Sequence, residues 1–363
     1  MGVSRELYFR VSYPVRWGVA PVNVGNAGAS LMNKVQKLTV TADEDGIRLD
    51  RWFKRHFPRL GHGRMEKLFR TGQVRLDGGR VKSSARLEKG QTIRVPPIEV
   101  TVTKRANKPS SFALSLEDIA KVQSMVLYRD EDIIVINKPP GLAVQGGNKV
   151  SWHLDGLLDG LIFDSPERPR LVHRLDKDTS GIMLLACNVF AASKLTAAFR
   201  THEMTKIYWA LVVGVPNPKA GQINAPIIKQ GITGQQRMAV TKLKAPSAVT
   251  DFATIETAGR RVAWLALRPQ TGRTHQLRVH CAVLGTPILG DRKYGGKEAF
   301  IDGLPSPIKL HLHAYSLEFD HPRGGKMKHE APLSQDMEKT WRFFGFNPAE
   351  TSDGFSELEM GAK

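Results

Sequence analysis

Residues 171–186 read LVHRLDKDTSGIMLLA, and this is the most informative stretch of the chain. Five of the six residues from His173 to Asp178 are ionisable. The turn-forming residues 179–181 follow, and the apolar run 182–186 has the length and composition of an interior strand. The polar cluster is therefore predicted to lie on a loop at the mouth of the core, where a scaffold often positions reactive groups.

Asp176 is the candidate nucleophile of this cluster. Carboxylates can form covalent intermediates with glycosidic carbons, and nearby cations such as Arg174 and Lys177 favour the ionised carboxylate. The residues alone leave a purely structural interpretation open. In that interpretation Asp176 and Asp178 cap a turn, and Arg174 forms a surface ion pair.

The segment HRLDKDTSG at 173–181 resembles HRLDxxTSG, the signature of the RluA-type pseudouridine synthases, without interruption over nine residues. NKPPG at 137–141 also resembles a family segment. AVQGG at 143–147 is most similar to the RluC-type members, which modify large-subunit ribosomal RNA. The resemblance implies that Asp176 is the catalytic nucleophile and that the fold is α+β around a mixed, largely antiparallel sheet. The strand-rich pattern with few helices predicts the same class.

The composition narrows the chemistry. The 363 residues carry 53 Lys plus Arg against 35 Asp plus Glu, a formal charge of +18, which favours a polyanionic partner such as nucleic acid. A generically basic soluble protein is the alternative. Two cysteines, Cys187 and Cys281, exclude a disulfide framework and a cysteine-based zinc site. No apolar run is long enough to predict a membrane span.

The chain is predicted to contain two domains with flanking segments. Residues 1–38 are a basic extension with the charge bias of a mitochondrial leader. It is interpreted as a loosely ordered, disordered segment or, preferably, as the result of an upstream start with Met32 as the true beginning. A small RNA-binding domain at 39–102, a linker at 103–124, a catalytic domain at 125–345 and a polar, disordered tail at 346–363 follow.

Residues 39–102 are predicted to form two helices, a hairpin and a strand. GIRLDRWFKRHFP at 46–58 has helical apolar spacing and ends at Pro58. GRMEKLFRTG at 63–72 forms the second helix, which Gly72 stops. Asp77-Gly78 is a hairpin signal, and QTIRVPP at 91–97 predicts the closing strand.

The charge of this domain is concentrated. From Ile47 to Val95 fourteen Lys or Arg stand against four Asp or Glu, a net charge of +10. The segment resembles the alpha-L RNA-binding domain, first seen in a small-subunit ribosomal protein. Solvation of the helices by these charges is the alternative. The predicted RNA contacts are Arg48, Arg51, Lys54, Arg64, Lys67 and Arg70.

Two further segments carry site predictions. KIYWALV at 206–212 is a predicted strand, and the family's Lys-x-Tyr strand implies that Tyr208 lies against the target base. RPQTGRTHQLRVH at 268–280 predicts a strand, a turn and a helix capped by Thr274. In the family, the Arg of TGR pairs with the catalytic Asp, so the resemblance implies that Arg273 pairs with Asp176. His173, Arg174, Lys177, Gln276 and Arg278 are the predicted RNA contacts here.

Cofactor and metal sites are not predicted. The glycines form neither a nucleotide triphosphate loop nor a dinucleotide fingerprint. His275 and His280 are five residues apart and would diverge on a helix, and His311 and His313 are interpreted as structural. Four cations could contact RNA or simply solvate loops. They are Lys229, Arg237, Lys242 and Lys244.

The predicted function is a pseudouridine synthase that flips uridines out of large-subunit ribosomal RNA and uses Asp176, Tyr208 and Arg273 without a cofactor or metal. Attack on the sugar and attack on the base remain open, as do the target uridines. The alternatives are a non-catalytic RNA-binding or ribosome-assembly protein, a glycoside hydrolase, and a family member acting on other RNA such as tRNA. A monomer in the bacterial cytoplasm is expected, with a mitochondrial location if the extension is a leader.

Overall fold

The computed structural model describes residues 35–57, 60–98, 114–146, 152–231, 237–241, 245–304, 308–349 and 354–355. The chain divides into two compact units, residues 1–108 and 109–363. Several predictions lie outside the described residues: the start at Met32, most of the basic extension and of the polar tail, the helix end at Pro58, and the cations Lys242 and Lys244. Over the described ranges, no helix has the length and apolarity that a membrane crossing requires.

The first unit contains two helices and a four-stranded antiparallel sheet in the order β1-β4-β2-β3. A short 3-10 helix, Ala42–Glu44, follows the first strand. Both predicted helices and the closing strand are confirmed. The elements are β1 (Gln36–Thr39), α1 (Leu49–His56), α2 (His62–Arg70), β2 (Arg75–Leu76), β3 (Gly79–Arg80) and β4 (Thr92–Val95).

The core of this unit forms where the apolar faces of α1 and α2 meet the sheet. Trp52 and Phe53 are fully buried, and Phe53 packs edge-on against Phe69 with ring centroids 5.2 Å apart. The predicted hairpin between β2 and β3 is confirmed. Asp77 and Gly78 have φ values of 48° and 81°, as a two-residue type I′ turn requires.

The second unit is built on one ten-stranded sheet and a separate two-stranded hairpin. Short 3-10 helices lie at Leu158–Leu161 and Gly296–Ala299. The elements are α3 (Leu116–Gln123), β5 (Val126–Arg129), β6 (Ile133–Lys138), α4 (Leu154–Leu157), β7 (Arg170–Leu171), β8 (Ser180–Ala186), α5 (Val189–Thr201), β9 (Thr205–Val213), β10 (Ala220–Asn224), β11 (Ile227–Gln230), β12 (Arg237–Val240), β13 (Val249–Ala258), β14 (Val262–Pro269), α6 (Gln276–Val283), β15 (Leu312–Asp320), β16 (Lys326–Glu330) and α7 (Gln335–Phe343).

The large sheet has the strand order β10-β13-β14-β9-β15-β8-β6-β5, with β16 paired to β15 and β7 paired to β8. Its pairs are antiparallel except for β8 with β15, which run parallel. The predicted α+β class with a mixed, largely antiparallel sheet is therefore confirmed. At the parallel pair Gly181 has φ 107°, and a Cβ there would overlap the Ala314 backbone, so this position requires glycine.

Helices cover both faces of the sheet, and successive strand residues alternate between them. In β8, Met183 and Leu185 pack with α3 and α4, whereas Leu184 packs with α5. In β9, Trp209 packs with α7, whereas Tyr208 contacts the two apolar clusters of the opposite face. Tyr208 therefore lies at the seam between those clusters.

Four boundary predictions are wrong. The segment predicted as a linker contains α3, whose Val122 is fully buried. Helix α6 begins at Gln276 after an N-cap at His275, so Thr274 is not the cap. Phe346, placed in the polar tail, is 2% exposed. In the first unit, β1 occupies the end of the basic extension, because its backbone pairs with β4.

Candidate active site

The loop between β7 and β8 carries Asp176, and a buried leucine and backbone hydrogen bonds hold it in place. Leu175 is buried in the apolar core, and the Thr179 amide donates to the Asp176 carbonyl at 3.2 Å. The Gly141 amide donates to the Lys177 carbonyl at 2.9 Å. These contacts fix the loop backbone and leave the Asp176 side chain half-exposed.

Lys138 also holds this loop. Its ammonium is buried and donates to the carbonyls of Pro139, Leu142 and Lys177 at 2.9, 3.0 and 3.1 Å. Burial lowers the pKa of Lys138 to about 7, against the opposing charges of Asp178 and Asp176. This lysine, from the segment NKPPG, therefore connects the end of β6 to the Asp176 loop through hydrogen bonds.

Asp176, Tyr208 and Arg273 line one cleft of about 350 Å³. The structure therefore brings together the three residues predicted as catalytic, although they are far apart in the sequence. Arg174, His173, Gln276 and Arg278 also line this cleft. A neighbouring depression shares Asp176 with it and adds Lys177, Arg292 and Lys293.

Tyr208 lies on β9 with its phenol directed to the cleft side of the sheet. Burial raises the pKa of Tyr208 well above its usual range, and the Asp176 charge raises it further. The hydroxyl is therefore protonated at neutral pH. Such a side chain offers a flat apolar surface together with one hydrogen-bonding group.

The predicted ion pair between Arg273 and Asp176 is not the arrangement found. The Arg273 Nε donates to the Ser247 carbonyl at 3.2 Å. Asp176 Oδ1 instead lies 3.8 Å from His275 Nε2. Arg273 follows the turn after β14 and lines the cleft.

Arg278 is the buried cation beside Asp176. Its guanidinium makes a bidentate contact with the buried Asp291, with Nε and Nη2 at 2.8 and 2.7 Å from the carboxylate oxygens. Burial opposes the charged form, but Asp291 and, more weakly, Asp176 raise the pKa of Arg278. Arg278 therefore supplies positive charge from beneath the cleft rather than a free RNA-binding group.

Two other residues predicted to contact RNA instead form contacts within the protein. His173 Nε2 accepts the Leu184 amide at 2.8 Å, and its ring stacks on Phe199. Burial lowers the pKa of His173 to about 3, with help from the Lys206 charge. Gln276 is 3% exposed and bonds to Thr271, the Arg273 amide and β13. Both residues shape the cleft from inside the fold.

Arg174 and Lys177 are exposed beside Asp176, as an RNA contact requires. In the first unit, the predicted contact Arg48 instead binds Asp50 at 2.6 Å. The other five predicted cations of that unit are exposed. They are Arg51, Lys54, Arg64, Lys67 and Arg70.

Sequence reasoning missed three residues of the cleft and one tyrosine that contacts one of them. Lys206 lies two residues before Tyr208 on the same strand face, and His202 follows the end of α5. Over the described part of the chain, no hydrogen bond or ion pair engages the Lys206 ammonium. His275 and Tyr294 contact each other beside Asp176. The Lys-x-Tyr spacing could have identified Lys206, whereas no local signal identifies Tyr294.

The histidines considered as metal ligands are used otherwise. His280 contacts Thr250 and the Ala225 carbonyl at 2.9 and 3.1 Å, and His275 contacts Tyr294. One group of carboxylate and imidazole ligand atoms does occur among the described residues, at Asp130, Asp132 and His321. Asp130 and Asp132 lie in the turn between β5 and β6, and His321 lies in the turn between β15 and β16, so this group is outside the cleft.

Comparison with known proteins places this geometry in a family. A family model described as RNA pseudouridylate synthase matches residues 132–283. The chain is 35% identical to RNA pseudouridine synthase 4, mitochondrial, of Arabidopsis thaliana, over 84% of this chain and 72% of that protein. It is 33% identical to ribosomal large subunit pseudouridine synthase C of Escherichia coli strain K12, over 84% and 95%.

A solved structure agrees. Human RNA pseudouridylate synthase domain containing 4 superimposes with a TM-score of 0.54 at 29% identity, covering 64% of this chain and 98% of that chain.

Proposed function

Because the chain belongs to the RNA pseudouridine synthase family, we propose that Asp176 is its nucleophile and that large-subunit ribosomal RNA is its substrate. The observation that carries the assignment of Asp176 is its place in one cleft with Tyr208, above the buried Arg278. The names of the bacterial relatives support the choice of RNA. Other RNA such as tRNA is the alternative substrate.

The reaction exchanges one bond for another. The bond between the sugar and N1 of uracil breaks, the base turns, carbon five joins the sugar, and the carbon-five proton leaves as N1 gains one. Asp176 can form its transient bond either to the sugar or to the base ring. No atom is lost and nothing is oxidised, so the proposed mechanism requires no redox cofactor.

Tyr208 is proposed to pack on the flipped base, which must leave its stack to reach Asp176. Its raised pKa keeps the phenol protonated at neutral pH. Tyr208 can therefore take the carbon-five proton only by passing its own proton on. Once its own transient bond has broken, the Asp176 carboxylate is the acceptor that the cleft offers, and it then releases the proton to solvent.

Positive groups around the cleft would hold the RNA backbone. Lys206, His202 and Arg273 lie on one side of it, and both Lys206 and Arg273 lower the pKa of His202 after burial does. Converging cations of this kind favour a phosphate ligand. We assign Lys206 and Arg273 to a phosphodiester next to the target uridine, while Arg174 and Lys177 contact the strand outside.

The first unit is proposed to be an alpha-L RNA-binding domain. Its exposed cations, including Arg51 and Lys67, lie on the solvent-exposed faces of α1 and α2. The net charge of +10 between Ile47 and Val95 suits a phosphate backbone. We place the protein with its RNA in the bacterial cytoplasm, with the mitochondrion as the alternative.

The decisive experiment uses Asp176→Asn. Removing the nucleophile while keeping its shape should lower single-turnover pseudouridine formation to below about a thousandth of wild type. The dissociation constant for RNA should stay within about threefold of wild type, because one surface charge contributes little to the total phosphate contact. Large-subunit ribosomal RNA transcripts and tRNA are compared as substrates, and modified sites are mapped. Normal turnover by the variant would remove Asp176 as nucleophile, and modification of tRNA alone would remove the proposed substrate.

A further inference from the structure

His275 has an unfavourable backbone conformation at the start of α6. Its φ and ψ are 54° and 21°, in the left-handed region, and its side chain makes no capping bond to the helix. A residue with a Cβ keeps such a conformation only where its surroundings hold it, and such positions cluster at functional sites. The contacts of the His275 ring therefore indicate what this conformation serves.

The ring lies between a tyrosine and the proposed nucleophile. His275 Nδ1 is 2.6 Å from the Tyr294 hydroxyl, and the two rings meet edge to face. His275 Nε2 is 3.8 Å from Asp176 Oδ1. The αL backbone turns the ring so that one nitrogen contacts each partner.

The contacts of Tyr294 determine where the imidazole proton lies. The Met238 amide, on β12, donates to the Tyr294 oxygen at 3.3 Å, so that oxygen is an acceptor and its own proton is free to reach His275 Nδ1. Burial raises the pKa of Tyr294, which keeps that proton in place. A neutral imidazole that accepts at Nδ1 carries its proton on Nε2, on the side of Asp176.

The neutral form is also the one that the surroundings favour. Burial lowers the pKa of His275, Asp176 opposes this, and the charges of Arg278 and Lys293 lower it again. The separation of 3.8 Å is longer than a hydrogen bond. Catalytic contacts of this kind commonly shorten when substrate closes the site.

We propose that His275 and Tyr294 are positioning residues for the reaction. Tyr294 holds the imidazole as the Nε2–H tautomer, and that N–H orients Asp176 through Oδ1, leaving the other carboxylate oxygen to attack the flipped nucleotide. The hairpin β11–β12 takes part, because its Met238 amide holds Tyr294. This inference rests on the proposed role of Asp176.

Two variants test the inference. Tyr294→Phe removes the hydroxyl but keeps the ring that Arg278 covers at 5.1 Å. His275→Asn removes the ring but tolerates the left-handed backbone better than most residues. Each should slow single-turnover conversion by about 100-fold, as a misplaced reacting group does, while the RNA dissociation constant stays within about threefold. Tyr128→Phe, which removes a hydroxyl bonded to Asp130 outside the cleft, is the matched control and should react at the wild-type rate.

A spectroscopic measurement needs no variant. Nitrogen-15 chemical shifts of His275 in the wild-type protein should report the Nε2–H tautomer, and Tyr294→Phe should shift the signal toward a mixture. An Nδ1–H tautomer in wild type, or full single-turnover rates in His275→Asn, would overturn the inference. Asp176→Asn in the same assay separates a failure of the proposed nucleophile from a failure of the positioning inference. If that variant turns over normally the proposed nucleophile fails, whereas if it is inactive and both positioning variants react normally only the inference fails.

Discussion

The ionisable residues from His173 to Asp178 differ in their surroundings, although they are neighbours in the sequence. His173 points into the fold, where its neutral ring accepts a β8 amide. Leu175 anchors the loop in the core, and Asp176 emerges into the cleft between exposed Arg174 and Lys177. The anchored Leu175 thus lies between a histidine that serves the fold and the aspartate that we propose as the nucleophile.

Lys206→Met should weaken RNA binding without affecting the chemical step. The methionine keeps the apolar stem in the cleft and removes a cation that we assign to a phosphate. We expect the slope of log affinity against log salt to fall by about 1. Lys194→Met, on the exposed side of α5 outside the cleft, should leave the slope unchanged. Fluorescence anisotropy with a short uridine-containing RNA measures both, and equal slopes for the two variants would contradict the assignment.

The residues of the site differ in how far sequence could predict them. Asp176 and Tyr208 occur in local segments that resemble a known family, so a linear pattern was sufficient to select them. Arg273 lies in such a segment too, but the structure does not show its predicted pairing with Asp176, because the Arg273 Nε donates to the Ser247 carbonyl. Tyr294 reaches His275 only through tertiary packing, and no periodicity encodes that contact.

At the scale of elements, β8 is the strand that connects the site to the core. All seven of its residues are buried, and it pairs with β6, β7 and β15. Sequence predicted this strand because its apolar run is continuous, and it predicted the alternating faces of β9 for the same kind of reason. It did not predict α3, since a short amphipathic helix after a polar stretch has the composition of a linker.

Two neutral histidines join β8 to its neighbours and should make this region acid-sensitive. His173 accepts the Leu184 amide, and His313 contacts Ser180 at 2.9 Å and the Ala331 carbonyl. Burial lowers the pKa of His173 to about 3 and of His313 to about 4, from 6.5. The unfolded chain therefore binds more protons below pH 6.5, so stability is fully present above that pH and is lost as the pH falls toward 4.

The expected loss is up to about 1.4 kcal/mol per pH unit for each histidine. Guanidinium unfolding between pH 7 and 5, followed by the near-ultraviolet signal of the buried tryptophans, measures the free energy of unfolding at each pH. His313→Asn should lower stability at pH 7 and remove the share of that histidine, up to about 1.4 kcal/mol per pH unit, from the dependence. If the free energy of unfolding of the wild type does not change between pH 7 and 5, these histidines do not have lowered pKa values in the folded state.

At the scale of the whole molecule, the densest positive charge lies in the first unit and the candidate active site lies in the second. The first unit has a small aromatic core and a surface rich in Lys and Arg, whereas the second has the ten-stranded sheet and the cleft. Sequence identified this division from composition, because the concentration of positive charge does not depend on tertiary contacts. It misplaced the boundaries by several residues, since strand pairing by β1 and burial of Phe346 and Phe355 are long-range events.

This division predicts that RNA affinity can be reduced without affecting the chemical step. The test replaces five exposed cations of the first unit by glutamine in the full chain, namely Arg51, Lys54, Arg64, Lys67 and Arg70. If each contacts a phosphate, the salt slope of RNA binding falls by up to about 3.5 on single-stranded RNA, at roughly 0.7 per contact. The single-turnover rate at saturating enzyme should stay near wild type, because Asp176, Tyr208 and Arg278 all lie in the second unit.

The matched control replaces an equal number of exposed cations in the second unit that lie outside the cleft, such as Arg170, Lys194 and Arg200 together with Lys326 and Lys328. It removes the same net charge, so it accounts for the general attraction between a basic protein and a polyanion. A loss of slope equal to that of the first-unit variant would mean that only total charge matters. A larger loss in the first-unit variant would assign RNA docking to that unit, because both chains then differ only in where the positive charge lies.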